Sequence, residues 1–304
     1  GDVEAAIAEA KKSDSPFFQR IAERLEARPE GRRVLLDLGF VRQHHLTCVP
    51  ATLSTISRFW GKEAAHLEIA EAICYDGTPA HSERRWAEEN GWVTRELTVT
   101  WEGVKALIDR GVPFTLATVD VGSAHMQAVI GYDDRRGTFY LRDPFIPVVL
   151  EAVAELFFER YRASGPRGMA LVPLAEAARL DGFEAPDGAL HDALHRLDRA
   201  LDLHDRSAAV AALAELEREA PAHEITLRGR RALGAYDADP AQVQQSAEAL
   251  LARFPGDGNA ELTVLACMAE TSSQKERIER LLGLFSRGPM HPALLLRLTG
   301  ELQA

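Results

Sequence analysis

VRQHHLTCVPATLSTISRFWG, residues 41–61, is the stretch on which the fold turns. Thr47 is positioned as an N-cap. Pro50 suits a first helical turn, where a missing N–H costs little. Leu53, Ile56, Phe59 and Trp60 then recur at helical spacing, so one face is expected to be buried, and Gly61 ends the helix. Cys48 therefore stands at a helix N-terminus, where unpaired N–H groups and the helix dipole stabilise a thiolate. Five residues upstream, the Gln43 amide could donate to an oxyanion. A thiol, a helix start and an upstream Gln are parts of an acyl-transfer site.

The surrounding chain sets limits. It has 304 residues, 46% of them hydrophobic and 27% charged, which suits a globular chain of one large domain or two. A net charge of -11 argues against nucleic acid as a partner. Three cysteines are too few for a disulfide framework and point to a reducing compartment, the cytoplasm. No apolar run approaches the roughly 20 residues of a membrane span. No signal-peptide pattern opens the chain, although it starts Gly-Asp rather than with Met, so this says little about targeting.

Upstream of Cys48, residues 1–39 read as a helical segment, with one apolar stripe from Val3 to Ala10 and a second helix from Pro16 to Ala27. The break Arg28-Pro29-Glu30-Gly31 follows. This segment is either a packing appendage or the end of a helical array. Downstream, helices are expected over 64–74, 82–90, 101–110 and 153–161. Strands are expected over 93–100, 114–121, 124–132, 138–142, 147–150 and 169–172, with a hairpin turn at 133–137. Helices followed by an antiparallel sheet make an α+β domain over residues 40–173.

From Leu174 the strand signal ends. Pro186, Pro221, Pro255 and Pro289 are 35, 34 and 34 residues apart. A period of 34 is that of tetratricopeptide repeats, two helices per unit. Residues 174–304 are thus expected to form an all-α repeat domain that holds a protein partner, with a generic helical bundle as the alternative. Helices are expected at 190–203, 208–219, 224–236, 240–254, 259–270, 274–285 and 292–302.

A cysteine nucleophile needs a base. His125 opens an expected strand, and Asp143 ends the strand paired with it across the hairpin. This arrangement can bring the carboxylate to one ring nitrogen of His125 and turn the other toward Cys48. A cysteine on a helix is more often a buried hydrophobe than a nucleophile, and Cys74 and Cys267 are read that way. His44-His45-x-x-Cys48 could be a metal fragment, but no second Cys/His pair at ligand spacing supports zinc. No Gly-rich phosphate loop, nucleophile-elbow serine or dinucleotide fingerprint is found, so no cofactor is expected.

Gln43, then Cys48 at a helix start with Pro50-Ala51-Thr52-Leu53, then a strand-borne His125 followed by Gly131-Tyr132-Asp133, then Arg142-Asp143-Pro144, resemble the bacteriocin-processing cysteine peptidases. These are papain-like enzymes that cut leader peptides after a double glycine. The resemblance covers about residues 40–173. It implies Cys48 as nucleophile, His125 as base, Asp143 as its orienter and Gln43 as oxyanion donor, with a peptide or protein as substrate. The family usually has Gly after the nucleophile, and here Val49 could crowd the oxyanion site. Many members are fused to membrane transporters, whereas this chain carries helical repeats, so the export role does not carry over. Two other functions stay open: an inactive peptidase-like module that only holds a peptide, and a papain-like acyl transferase.

Overall fold

The computed structural model describes residues 2–27, 30–120, 123–288 and 290–303. Arg28 and Pro29 of the first break, Val121, the last residue of the strand expected over 114–121, Gly122 and Pro289 of the proline series lie outside the described residues. The chain divides into two compact units: residues 1–118, 124–161 and 166–188 in the first, and 119–123, 162–165 and 189–304 in the second.

The first unit begins with α1 (Val3–Ala10), capped by the Asp2 carboxylate, and α2 (Pro16–Ala27). A short strand, β1 (Arg33–Leu35), leads to the central helix α3 (Cys48–Phe59). Then come α4 (His66–Ile73), α5 (Ala80–Glu89), β2 (Trp92–Thr98), α6 (Trp101–Asp109), β3 (Phe114–Asp120), β4 (Ser123–Asp133), β5 (Thr138–Arg142), β6 (Val149–Val153), α7 (Ala154–Tyr161) and β7 (Arg167–Pro173). The seven strands form one sheet in the order β2-β7-β3-β4-β5-β6, with β1 added on β4. Together with the helices it is an α+β domain.

The two-residue period of the strands sorts their side chains between two cores. Met169 and Leu171 of β7 join Met126, Ala128 and Ile130 of β4 in the core that receives Leu53 and Ile56 of α3. Ala170 and Val172 of β7 join Val129 and Tyr132 of β4 in the opposite core, with Leu107 and Ile108 of α6. Tyr132 is out of phase with Ile130 because the β4–β5 register shifts between Val129 and Gly131. Such a bulge turns the remaining strand over. At Gly131 a Cβ would lie 2.3 Å from the Val34 carbonyl oxygen, so only glycine lets β1 pass here.

Where the sequence predicts one buried face, α3 is buried on all sides from Val49 to Ser57. Three of its four buried hydroxyls, those of Thr52, Ser54 and Thr55, are accommodated by bonds the hydropathy pattern does not reveal, while the Ser57 hydroxyl has no partner among the described residues. Ser54 Oγ donates to the Ala64 carbonyl at 2.7 Å, Thr55 to Ala51 at 2.9 Å, and Thr52 to Met126 at 3.3 Å. A buried hydroxyl with an acceptor loses little on leaving water.

A second buried polar group ties α5 to the sheet. The Arg167 guanidinium on β7 reaches Glu83 on α5 at 2.6 Å and Glu96 on β2, and Thr115 on β3 donates to Glu83 at 2.9 Å. Burial works against the charge on Arg167, but the two carboxylates outweigh it and its pKa is raised. The first unit extends past β7 to Gly188: a 3-10 segment at Leu174–Leu180 follows, Leu180 enters the sheet core, and the Thr98 N–H bonds the Pro186 carbonyl at 2.9 Å.

The second unit is helical: α8 (Gly188–Asp202), α9 (Arg206–Glu219), α10 (Glu224–Tyr236), α11 (Pro240–Arg253), α12 (Gly258–Thr271), α13 (Gln274–Phe285) and α14 (Pro292–Gln303). A period of 34 is written into its turns. Asp205, Asp239 and Ser273, each 34 apart, cap α9, α11 and α13 with a side-chain oxygen. His204 and Ala238, also 34 apart, take positive φ of 58° and 53° just before two of those caps. His223 and Asp257 cap α10 and α12, and His291 Nδ1 accepts from Ala293 N–H at the start of α14. Among the described residues no helix is long and apolar enough to cross a membrane.

Candidate active site

Cys48 is the first residue of α3. Thr47 occupies the N-cap position, but its side chain makes no capping bond; its Oγ1 instead accepts from the His44 N–H at 2.8 Å. The first helical hydrogen bond runs from the Ala51 N–H to the Thr47 carbonyl at 3.1 Å. The first N–H groups of any helix lack partners within it, and Pro50 removes one of them. The Cys48 and Val49 N–H groups are thus left at the thiol end.

Val49 does not turn its side chain to this end. It is 6% exposed and packs with Leu53 and Ile56 in the core. The branched residue that replaces the usual glycine therefore serves packing rather than filling the space above the thiol.

His125 and Asp143 meet across the β4–β5 pair, with His125 Nε2 and Asp143 Oδ2 3.0 Å apart. Asp143 Oδ1 accepts from the Phe145 N–H at 2.7 Å, which fixes the carboxylate from its other side. The remaining ring nitrogen is Nδ1, and the Cys48 thiol, in the same cleft, is among the groups that raise the His125 pKa. The bond to Asp143, then the Cys48 thiol, raises it to about 9 against the opposing effect of burial. Burial pushes the Asp143 carboxyl up, but the bonds from His125 and the Phe145 N–H outweigh it and leave it below the usual carboxylate range. A carboxylate beside a protonated imidazole is the arrangement that holds the ring in one orientation.

Gln43 is fastened to the same turn, its N–H donating to the Pro144 carbonyl at 2.9 Å. Among the described residues its buried side-chain oxygen has no hydrogen-bond partner. Gln43, Cys48 and His125 line one cleft of about 470 Å³, with Arg42, His44, His45, Leu46, Gly77, Ala124 and Phe145 around them. All four residues singled out in the sequence thus come together, three in the wall of the cleft and Asp143 behind His125.

One residue of the site is not visible in the sequence. His66, the first residue of α4, places Nε2 2.9 Å from Thr47 Oγ1 and stacks on His44, ring centroids 5.3 Å apart. No motif marks it, because it meets Thr47 only through the packing of α4 on α3. His44 and His45 line the cleft. Among the described residues no group of three or more His, Cys, Asp or Glu side chains could hold a metal ion. Cys74 and Cys267 are free thiols. Cys74 Sγ donates to the Leu46 carbonyl at 3.3 Å, and burial, the largest influence on Cys267, raises its pKa.

A helix-borne thiol facing a strand-borne histidine on an α+β scaffold places this unit among the papain-like domains. Residues 35–168 match the Peptidase_C39 like family. Among solved structures, the peptidase domain of Streptococcus ComA, a bi-functional ABC transporter involved in a quorum-sensing pathway, is similar at 21% identity. The match covers 45% of this chain and 99% of that one, with a TM-score of 0.38. No curated protein matches the chain.

Proposed function

We propose that the protein is a cysteine peptidase that hydrolyses a peptide bond in a peptide or protein substrate. The observation that carries this reading is the line from Cys48 through His125 to Asp143, with the histidine pKa raised to about 9. At neutral pH the imidazole is protonated and sits against the thiol, the charge arrangement that favours an ion pair.

In this mechanism the Cys48 thiolate attacks the scissile carbonyl carbon. The carbonyl electron pair moves to oxygen, where the Gln43 amide and the Cys48 N–H donate to it. As the oxyanion collapses, the C–N bond breaks and His125 Nδ1 delivers its proton to the leaving amine. The thioester remains. A water then gives a proton to Nδ1 and adds its oxygen to the acyl carbon, and the acid product leaves as the Cys48 thiolate and the imidazolium are restored. Asp143 stays ionised and orients the ring.

Cleavage after Gly-Gly is the specificity we propose, supported by the resemblance to the double-glycine peptidases. A cleft narrow enough for glycine alone would reject other residues by clash. We further assign the helical residues after Gly188 to substrate recruitment, as tetratricopeptide-like repeats. The 34-residue recurrence of their caps supports this, since stacked helix pairs expose an extended concave surface.

Mass spectrometry after treatment with a Gly-Gly peptidyl electrophile tests the enzyme reading. Rapid modification confined to Cys48 is expected. Slow and equal labelling of all three thiols would instead mark a module that only holds a peptide.

A further inference from the structure

The segment between Gln43 and Cys48 is held in an unfavourable backbone shape. Leu46 has a φ of 59°, the left-handed region that a branched side chain rarely adopts. Such a residue persists only where its surroundings over-determine it. Here the loop is gripped from inside and from outside. Within it, Thr47 Oγ1 accepts from the His44 N–H at 2.8 Å. From α4, His66 Nε2 lies 2.9 Å from that same oxygen, and its ring lies flat against His44, 4° from parallel. A third tie is the Cys74 thiol on the Leu46 carbonyl.

We propose that His66 is a positioning residue for the thiol site: through Thr47 and His44 it holds the loop that aims both Gln43 and Cys48. This rests on the cysteine peptidase reading. His66 is 8% exposed and is not among the cleft-lining residues. Thr47 immediately precedes Cys48, and His44 immediately follows Gln43, so the one imidazole reaches the neighbour of each. Burial lowers the His66 pKa, as do His44 and, on α3, Arg58, against a bond to the Thr47 backbone. The ring is therefore neutral at physiological pH and stacks on His44 without its own charge.

Freed of this grip, the loop can relax out of the left-handed turn and shift the helix start relative to His125. Misplacement of a reacting group by about 1 Å costs on the order of a hundredfold in rate. Full-length His66→Ala, Thr47→Val and Thr47→Ser are compared with the parent protein. Two readouts serve: the second-order rate of iodoacetamide alkylation at Cys48, with Cys267 as internal reference, and kcat and KM on a Gly-Gly peptide. His66→Ala and Thr47→Val are expected to slow Cys48 alkylation and lower kcat by roughly tenfold to a hundredfold, with KM little changed. Thr47→Ser keeps the hydroxyl and should restore most of both. A lesion that only loosens the fold would not be repaired by a hydroxyl in this selective way. If His66→Ala does not fold, the two Thr47 variants decide. Alkylation and kcat at parental values in the folded variants would overturn the positioning role and leave the peptidase reading intact. A parental Cys48 that reacts no faster than Cys267 and cuts no peptide would overturn both.

Discussion

The Thr52 hydroxyl donates to the Met126 carbonyl at 3.3 Å, joining the turn of α3 after Cys48 to the strand residue after His125. Nucleophile and base come from elements 77 positions apart in the chain, and this bond is the buried polar link between them. The Gln43–Pro144 bond performs the same task on the other side, tying the oxyanion donor to the turn that carries Asp143. The proposed catalytic groups are thus set by backbone contacts rather than by their own side chains alone.

Thr52→Val keeps the branched shape and removes the hydroxyl. It should remove the bond to the Met126 carbonyl and destabilise the fold by about 0.5–1.5 kcal/mol. A chemical denaturation curve measures the loss. Cys48 alkylation should slow at the same time, because the helix and strand lose their common anchor.

The pH dependence follows from His125. Its folded pKa, about 9, lies above the ordinary value of 6.5, so protonation favours the folded state. That contribution is complete below about 6.5 and disappears as pH rises through about 9. The stability gap between the parent protein and His125→Ala should therefore be widest near pH 6 and close by pH 10, as read from urea midpoints. Peptide cleavage should fall along an alkaline limb near pH 9. A gap independent of pH would contradict the assignment.

Asp143→Asn removes the carboxylate while keeping the shape. The largest influence that raises the His125 pKa is then lost, so the alkaline limb should move toward neutral pH. Cleavage should slow by about tenfold or more at pH 7, while the circular dichroism spectrum stays unchanged.

Arg167→Met tests the buried ion cluster. It strands Glu83 and Glu96 without their cation, and should destabilise the first unit by about 3–5 kcal/mol. Adding Glu83→Gln and Glu96→Gln to the same chain should recover part of this loss, because the uncompensated charges are then gone. A denaturation series over the three proteins reads both effects.

Much of this was legible in the sequence where the signal is local. The strand Thr138–Arg142 and the helices Pro16–Ala27, Glu224–Tyr236 and Gln274–Phe285 have the limits that periodicity and caps indicate. Gln43, Cys48, His125 and Asp143 stood out because their residue types and elements already suit the chemistry. The remainder depends on partners distant in the chain. Thr52, Ser54 and Thr55 on α3 masked its burial on all sides, since only their acceptors explain how they are buried. Three residues at Arg33–Leu35 are too few to announce a strand before β4 is there to pair with. The Arg167 cluster unites residues from four elements, none with a local signature. His66 reads as an ordinary helix start until α4 is packed against the thiol loop.

The caps of the helical unit have a consequence for the history of such a chain. Asp205, Asp239 and Ser273 each cap their own helix, each accepting from the N–H three residues further on. A helix pair carries its own punctuation. Duplication or loss of a 34-residue block then leaves each remaining cap bond intact. The helical unit can then grow or shrink by gene-level copying in whole helix pairs, each arriving with its own cap.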